Sequence, residues 1–347
     1  MTRAFSSAPL GRALQAAAPF VLAVAIGAIV LAATGHEPLS VYRLMIVEAF
    51  GDERRIAATL TAATPLLLTG LAAAIAFRAG IFNVGAEGCF YLGGMAAAIV
   101  GYALSDWPGA LSIPLALLAA SLVGGVWLIG PGLLRARFGV DEVVTTLMLN
   151  FIAIDLTSWL VNGPLLARGS ANSATPPIGA SAELPRLLPP STLHLGFLIS
   201  LALVIGYGFW SRISVAGFRS RLVGLNPRFS RAVGIEPMRV FLSMMVASGV
   251  IGGLAGGIHT LGLVHRFVAG FSPGYGFTGV AIALLARNSA IGVALAAILF
   301  GALSSAGANI QLFSNVPIEI VEILQGAVMI FAVAQLGFGW ARRRAAA

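Results

Sequence analysis

Apolar positions run along this chain in stretches of roughly twenty residues that end, repeatedly, at one or a few arginines. A helix needs about 20 apolar residues to cross a hydrocarbon core. Segments 56–77 and 109–134 contain no charge at all, which makes them too long for ordinary buried helices. The pattern predicts an all-α polytopic membrane protein of about ten transmembrane helices (eight to ten), near 16–34, 56–77, 81–104, 109–134, 143–161, 193–210, 240–264, 271–286, 290–313 and 318–340. The stretch 271–286 is short and rich in glycine, and Arg78 marks a tight turn between the second and third spans. Either reads as a broken or re-entrant element.

Composition agrees: 58% of residues are hydrophobic and 10% charged. No polar interval leaves room for a separate soluble domain, so residues 16–340 read as one helical transmembrane body, between a short N-terminal segment 1–15 and a basic tail 341–347. The first apolar run follows Arg3 and Arg12 as a signal peptide would, but it is long, and Gly35-His36-Glu37 lacks a small-residue cleavage pattern; it is taken as span one. With both termini cytoplasmic, fifteen arginines fall inside and six outside (Arg43, Arg54, Arg55, Arg168, Arg186 and Arg266), the asymmetry that orients multi-pass proteins. The net charge of +8 therefore reflects loops facing anionic lipid, not a nucleic-acid surface.

Two polar intervals differ in kind. The outer one, 163–191, is studded with prolines and reads as an irregular surface loop able to receive a soluble partner. The inner one, 211–239, holds the stretch Gly224-Leu225-Asn226-Pro227-Arg228-Phe229-Ser230-Arg231-Ala232-Val233-Gly234-Ile235. Asn226 suits an N-cap, Pro227 the first helical position and Gly234 a left-handed C-cap, so a helix of about two turns is expected. On local sequence it serves equally as a docking helix or as a basic segment lying on lipid headgroups.

Missing chemistry narrows the function. The chain has no lysine, so it cannot carry the GxxxxGK[ST] phosphate loop and cannot be its own P-loop ATPase. His36, His194, His259 and His265 lack metal-ligand spacing, no GxSxG or HExxH occurs, and Cys89 stands alone in apolar surroundings. A transport role fits better than an enzyme, with no cofactor held on this chain. Glu87, Asp155, Glu319 and Glu322 are the acidic groups within spans, where charge is costly. Glu87 reads either as pathway lining or as a carboxylate bonded between helices. Asp155 is expected to bond between helices, and Glu319 and Glu322 to meet water near the outer boundary. Gly249, Gly253 and Gly257 form a small-residue packing stripe, whereas Gly274, Gly276 and Gly279, beside Pro273, weaken a helix at its outer end.

Four blocks of residues resemble one family: 78–88 (RAGIFNVGAEG), 141–153 (DEVVTTLMLNFIA), 224–235 (GLNPRFSRAVGI) and 274–292 (GYGFTGVAIALLARNSAIG). They are similar to the membrane permeases of ABC importers of the branched-chain amino acid and ribose class, particularly nucleoside permeases that work with basic membrane lipoprotein type binding proteins. The family usually has glutamine where Cys89 stands and aspartate where Thr278 stands. The resemblance implies a bacterial cytoplasmic-membrane subunit paired with a second, similar permease (a heterodimer or a homodimer). It further implies a cytoplasmic ABC ATPase carrying the ATP and magnesium, and an extracytoplasmic solute-binding protein. It makes 226–233 the coupling helix, with Gly224, Asn226, Pro227, Arg228, Arg231, Ala232 and Gly234 in the ATPase contact, and makes Asn83, Glu87, Asn150, Phe277 and Thr278 the candidate pathway groups. The competing expectation is a stand-alone secondary transporter using Glu87 or Asp155 as an ion site.

Overall fold

The structure is a computed structural model that describes residues 21, 22, 24–169, 172–313 and scattered positions between 319 and 330. The described residues are helical, with two isolated β-bridges and no strands. Six helical stretches are long and apolar enough to cross a membrane: α3 (Glu53–Arg78), α5 (Gly109–Trp127) running on into α6 (Ile129–Phe138), α7 (Glu142–Asn162), α8 (Gly196–Ile213), α11 (Pro237–His259) with the π-helical turn Thr260–Val264, and α13 (Ala290–Phe313). A polytopic membrane protein follows from these alone. The remaining expected spans are shorter or only partly described. The first contains α1 (Val24–Ala33), the third becomes α4 (Ala86–Ala103), the eighth becomes α12 (Tyr275–Leu285), and most of 318–340 lies outside the described residues.

The chain divides into two compact units, Ala57–Gly301 and a second made of Met1–Ile56 with Ala302–Ala347. In the larger, α3 is buried on every side from Leu66 to Ala76, as a helix apolar all round must be. The buried Thr61, Thr64 and Thr69 hydroxyls of α3 turn back to carbonyls four residues earlier, at 2.8, 2.8 and 3.0 Å. Helix α11 packs against α4 and α5 along its glycines. A Cβ on Gly253 would drive into the Ala120 carbonyl oxygen, and one on Gly249 into that of Gly124. Such backbone-to-backbone approach holds membrane helices together where burial of apolar surface no longer discriminates.

The interval 163–191 is irregular but not loose. Thr175 and Ala269 donate backbone hydrogen bonds to Phe267 and Ser173, and Ile178 donates to His265, all at 2.9 Å. Ile178, Ala182 and Leu184 enter the apolar core beside Ala97 and Phe267. The interval is irregular and partly exposed, as its prolines suggest, and the apolar residues between them dock it on the core. Its end, residues 185–195, folds back on itself through Leu187 to Leu193 at 2.7 Å and Leu195 to Pro185 at 2.9 Å.

In the smaller unit, α2 (Pro38–Phe50) was not foreseen. Val41, Met45 and Ala49 pack against Leu31, Ala302, Ala306 and Ile310, while Leu39, Ile46 and Phe50 stay exposed. At 13 residues it is roughly 20 Å long, too short to span a bilayer and suited to lie in its interface. Arg55 closes the unit's polar end with Glu48 at 2.9 Å and Asp52 at 3.6 Å.

His194 is buried, its Nδ1 accepting from the Gly196 amide at 3.1 Å. Burial foremost, with the neighbouring His265 second, pulls its pKa from 6.5 down to about 4. The unfolded ring takes up a proton near 6.5 and the folded ring resists, so stability is present above that pH and is lost as pH falls toward 4. The loss amounts to about 3 kcal/mol. Thermal midpoints of the purified chain measured from pH 7 to pH 4 should fall, and His194→Gln should flatten the slope.

Candidate translocation site and coupling segment

The site is built around a break. Between α3 and α4 the chain leaves helical geometry from Ile81 to Gly85, although apolar residues continue through it. Inside a membrane every amide and carbonyl so freed needs a partner from the protein. Helix α7 supplies them from one face. Glu142, Thr146 and Asn150 recur every four residues and are all buried. Glu142 accepts from the Phe82 amide at 3.3 Å, Thr146 Oγ1 from Val84 at 3.2 Å, and Asn150 Oδ1 from Gly88 at 2.9 Å, while Asn150 Nδ2 donates to the Val84 carbonyl at 2.9 Å. Glu142 is itself paired with Arg135 at 3.2 Å. Asn83 completes the seam. Its Oδ1 accepts from Gly85 at 2.8 Å and its Nδ2 donates to Ser248 Oγ at 2.8 Å, which passes the bond on to the Ala72 carbonyl at 2.7 Å.

Glu87, the second residue of α4, meets the start of α12. Its carboxylate accepts hydrogen bonds from the Gly276 and Phe277 amides and from the Ser272 hydroxyl. Ser272 Oγ in turn accepts from the Gly274 and Tyr275 amides at 3.1 and 3.0 Å. The first amides of a helix are both unsatisfied and electropositive, so a carboxylate from a neighbouring helix caps them twice over. The approach is close: a Cβ on Gly276 would collide with the Glu87 amide nitrogen. Behind the cap lies an aromatic cluster that the sequence analysis did not single out, in which Phe90, Phe271, Tyr275 and His259 stand with ring centroids 5.2 to 5.5 Å apart.

Helix α12 has 11 residues, roughly 16 Å, about half a hydrocarbon core. Its far end turns through Arg287 and Asn288, both left-handed at φ 51° and 58°, and the Tyr207 hydroxyl holds the Asn288 carbonyl at 3.0 Å. Of the five candidate pathway residues, Asn83, Glu87 and Asn150 are buried with their polar atoms engaged by the chain's own backbone, Ser248 or Ser272. Phe277, 38% exposed, and Thr278, half-buried, lie one after the other on the half-helix. Asp155 does not bond between helices. It sits on an exposed face of α7 beside Ser158, Trp159 and Asn162, because α7 turns its other face, with Glu142 and Asn150, to α4.

On the arginine-rich side, α9 (Val215–Leu225), another helix not anticipated, leads into α10 (Pro227–Ala232). Asn226 caps α10 by accepting from the Phe229 amide at 3.0 Å, Pro227 opens it, and Gly234 leaves it at φ 81°. Arg228, Phe229, Arg231, Ala232 and Val233 are exposed. The root of this projection is fixed. A Cβ on Gly224 would strike the Arg78 carbonyl oxygen, and the Arg78 guanidinium donates to the Ser211 and Gly217 carbonyls. Blocks 78–88 and 224–235 therefore meet, and block 78–88 also meets blocks 141–153 and 274–292.

A broken span tied to a capped half-helix, joined at its base to a short exposed helix, defines a membrane transport protein of the permease class. A family model described as "Branched-chain amino acid transport system / permease component" matches residues 55–333, and the chain belongs to that family. It is similar to the guanosine ABC transporter permease protein NupP of Bacillus subtilis, 37% identical over 90% of this chain and 90% of that protein. It is also similar to the glucose ABC transporter permease protein TsgB13 of Haloferax volcanii, 35% identical over 90% and 84%. The nucleoside ABC transporter permease protein NupB of Lactococcus lactis is 34% identical over 88% and 86%. No solved structure matches. Membership sets aside the stand-alone, ion-driven transporter.

Replacing Asn150 by Leu orphans the Gly88 amide and the Val84 carbonyl, at a cost of about 3 kcal/mol. Asn150→Leu should lower the thermal midpoint of the purified chain markedly, whereas Asp155→Asn, on an exposed face, should shift it little.

Proposed function

We propose that the chain is the permease subunit of an ATP-driven importer of nucleosides in a bacterial cytoplasmic membrane. The substrate reading rests on its likeness, over about nine-tenths of its length, to permeases named for guanosine and nucleosides. The glucose-named relative favours a sugar as the second reading. Phe277 and Thr278 form the solute-facing wall, the ring stacking on a base and the hydroxyl bonding to a ribose or base edge. Asn83, Glu87 and Asn150 lie behind that wall and hold it in place.

Work enters through α10. A partner ATPase, which carries the ATP and magnesium, receives Arg228, Phe229 and Arg231, with Gly224, Asn226, Pro227, Ala232 and Gly234 shaping the projection. Its movement passes from Gly224 to the Arg78–Gly80 turn, along the non-helical linker to Glu87, and so to α12. The arginine distribution supports a cytoplasmic position for α10 and both termini, and delivery from outside falls to a solute-binding protein. A second permease covers the face bearing Asp155 and Trp159, where a carboxylate would otherwise meet lipid.

Deleting the gene in its host should abolish ATP-dependent uptake of labelled guanosine, with the wild-type chain restoring it. Arg228→Glu with Arg231→Glu should restore neither uptake nor co-purification of the ATPase. Phe277→Ala should raise the half-saturating guanosine concentration about tenfold or more, the usual worth of base–aromatic stacking. Unchanged guanosine uptake with glucose uptake lost would replace the first reading by the second.

A further inference from the structure

A groove of about 930 Å³ opens between α8, the start of α9 and the turn that joins α12 to α13. One end is basic. Arg212, Arg221 and Arg287 line it, all three are exposed, and none has a carboxylate within ion-pair distance among the described residues. Arg78 also lines it, but its guanidinium is occupied by the Ser211 and Gly217 carbonyls. The walls are apolar and open: Phe209 is 64% exposed and Ile291 and Leu295 are 65% exposed. Arg287 and Asn288 follow α12 with left-handed backbone, and Arg287 lines the same groove as Arg212 of α8 and Arg221 of α9.

We propose that this groove binds an anionic phospholipid, its phosphate held by Arg212, Arg221 and Arg287 and its acyl chains lying along Phe209, Ile291 and Leu295. Clustered guanidiniums without acidic partners require an anion, and arginine suits phosphate. Exposed isoleucine, leucine and phenylalanine walls on membrane-spanning helices require hydrocarbon beside it, which a soluble phosphate compound does not bring. Basic pockets between helices at the cytoplasmic boundary have this character in general. The lipid would lie against the end of α12 and the root of the coupling segment, two elements that the transport reading moves. The binding itself does not depend on which solute is carried.

The purified full-length chain, examined by native mass spectrometry, should retain phosphatidylglycerol over phosphatidylcholine of the same acyl chains by about tenfold or more, since each cation near a headgroup contributes roughly fivefold. Glycerol 3-phosphate should not displace it. The R212Q/R221Q/R287Q variant should lose the preference, and the charge-conserving R212K/R221K/R287K variant should keep most of it. The second variant and the wild-type comparison decide the matter if the first fails to fold. Equal retention of the two lipids, a preference that survives the glutamine variant, or displacement by glycerol 3-phosphate would each overturn the proposal. Crosslinking from Leu295→Cys to a polypeptide instead of to lipid, in native membranes, would overturn it as well.

Discussion

A backbone that leaves the helix inside a membrane has nowhere to send its amides except to other parts of the protein, and the larger unit of this chain is organised by that need. The linker Ile81–Gly85 exposes donors that a water-filled site would satisfy at little cost; here Glu142, Thr146 and Asn150 meet them from one stripe of α7. The same constraint acts on α12, whose first amides are met by Glu87 and Ser272. Neither break would survive without its partner. An unpaired polar group in hydrocarbon costs several kcal/mol, which exceeds what the local packing of one or two small residues returns.

Satisfaction of this kind also decides what can move together. Asn83 ties the linker through Ser248 to the Ala72 carbonyl, so linker, α3 and α11 share one hydrogen-bonded seam. The glycines of α11 then bring it against α4 and α5 at backbone distance, leaving little freedom for sliding. The outer faces of α12 and α10 stay exposed, while the Glu87 cap and the close approach of Gly279 to Thr69 fix the half-helix and Gly224 against Arg78 fixes the projection. A displacement applied to α10 therefore reaches the linker before it can dissipate in side-chain rearrangement.

Much of this was legible in the residues, for reasons that differ element by element. The cap at Asn226, the proline at Pro227 and the exit at Gly234 obey local rules that need no tertiary context, and the helix appears where they put it. Long uncharged runs likewise report α3, α5 and α13. The break at Ile81–Gly85 was harder to see because IFNVG is as apolar as a helix interior, and hydropathy does not register φ and ψ. Asn83, Glu87 and Asn150 were noticed for their polarity, but a buried amide facing a solute and one facing an orphaned backbone group look alike in one dimension. The repeat of Glu142, Thr146 and Asn150 at every fourth position was the available signal, and it points at a neighbouring segment that needs polar partners. Helix α2 was missed because its charges resemble those of a loop, and only the cluster with Leu31 and Ala306 shows which face is apolar.

Arg78 stands where these lines cross. It ends α3, its carbonyl abuts Gly224, and its guanidinium holds two carbonyls at the α8–α9 corner. Those bonds engage Nε and one terminal nitrogen of the guanidinium, which holds it at the junction, and its charge adds to the field of the neighbouring groove. Phosphate recognition there is left to the three arginines with free donors. The separation is economical in physical terms. One cation fixes the junction between coupling helix and broken span whatever occupies the groove, and the others respond to the membrane without loosening that junction. An occupant of the groove would therefore bias the far end of α12, at Arg287, while the Glu87 cap governs its near end, so that the half-helix is addressed from two sides by independent electrostatic contacts.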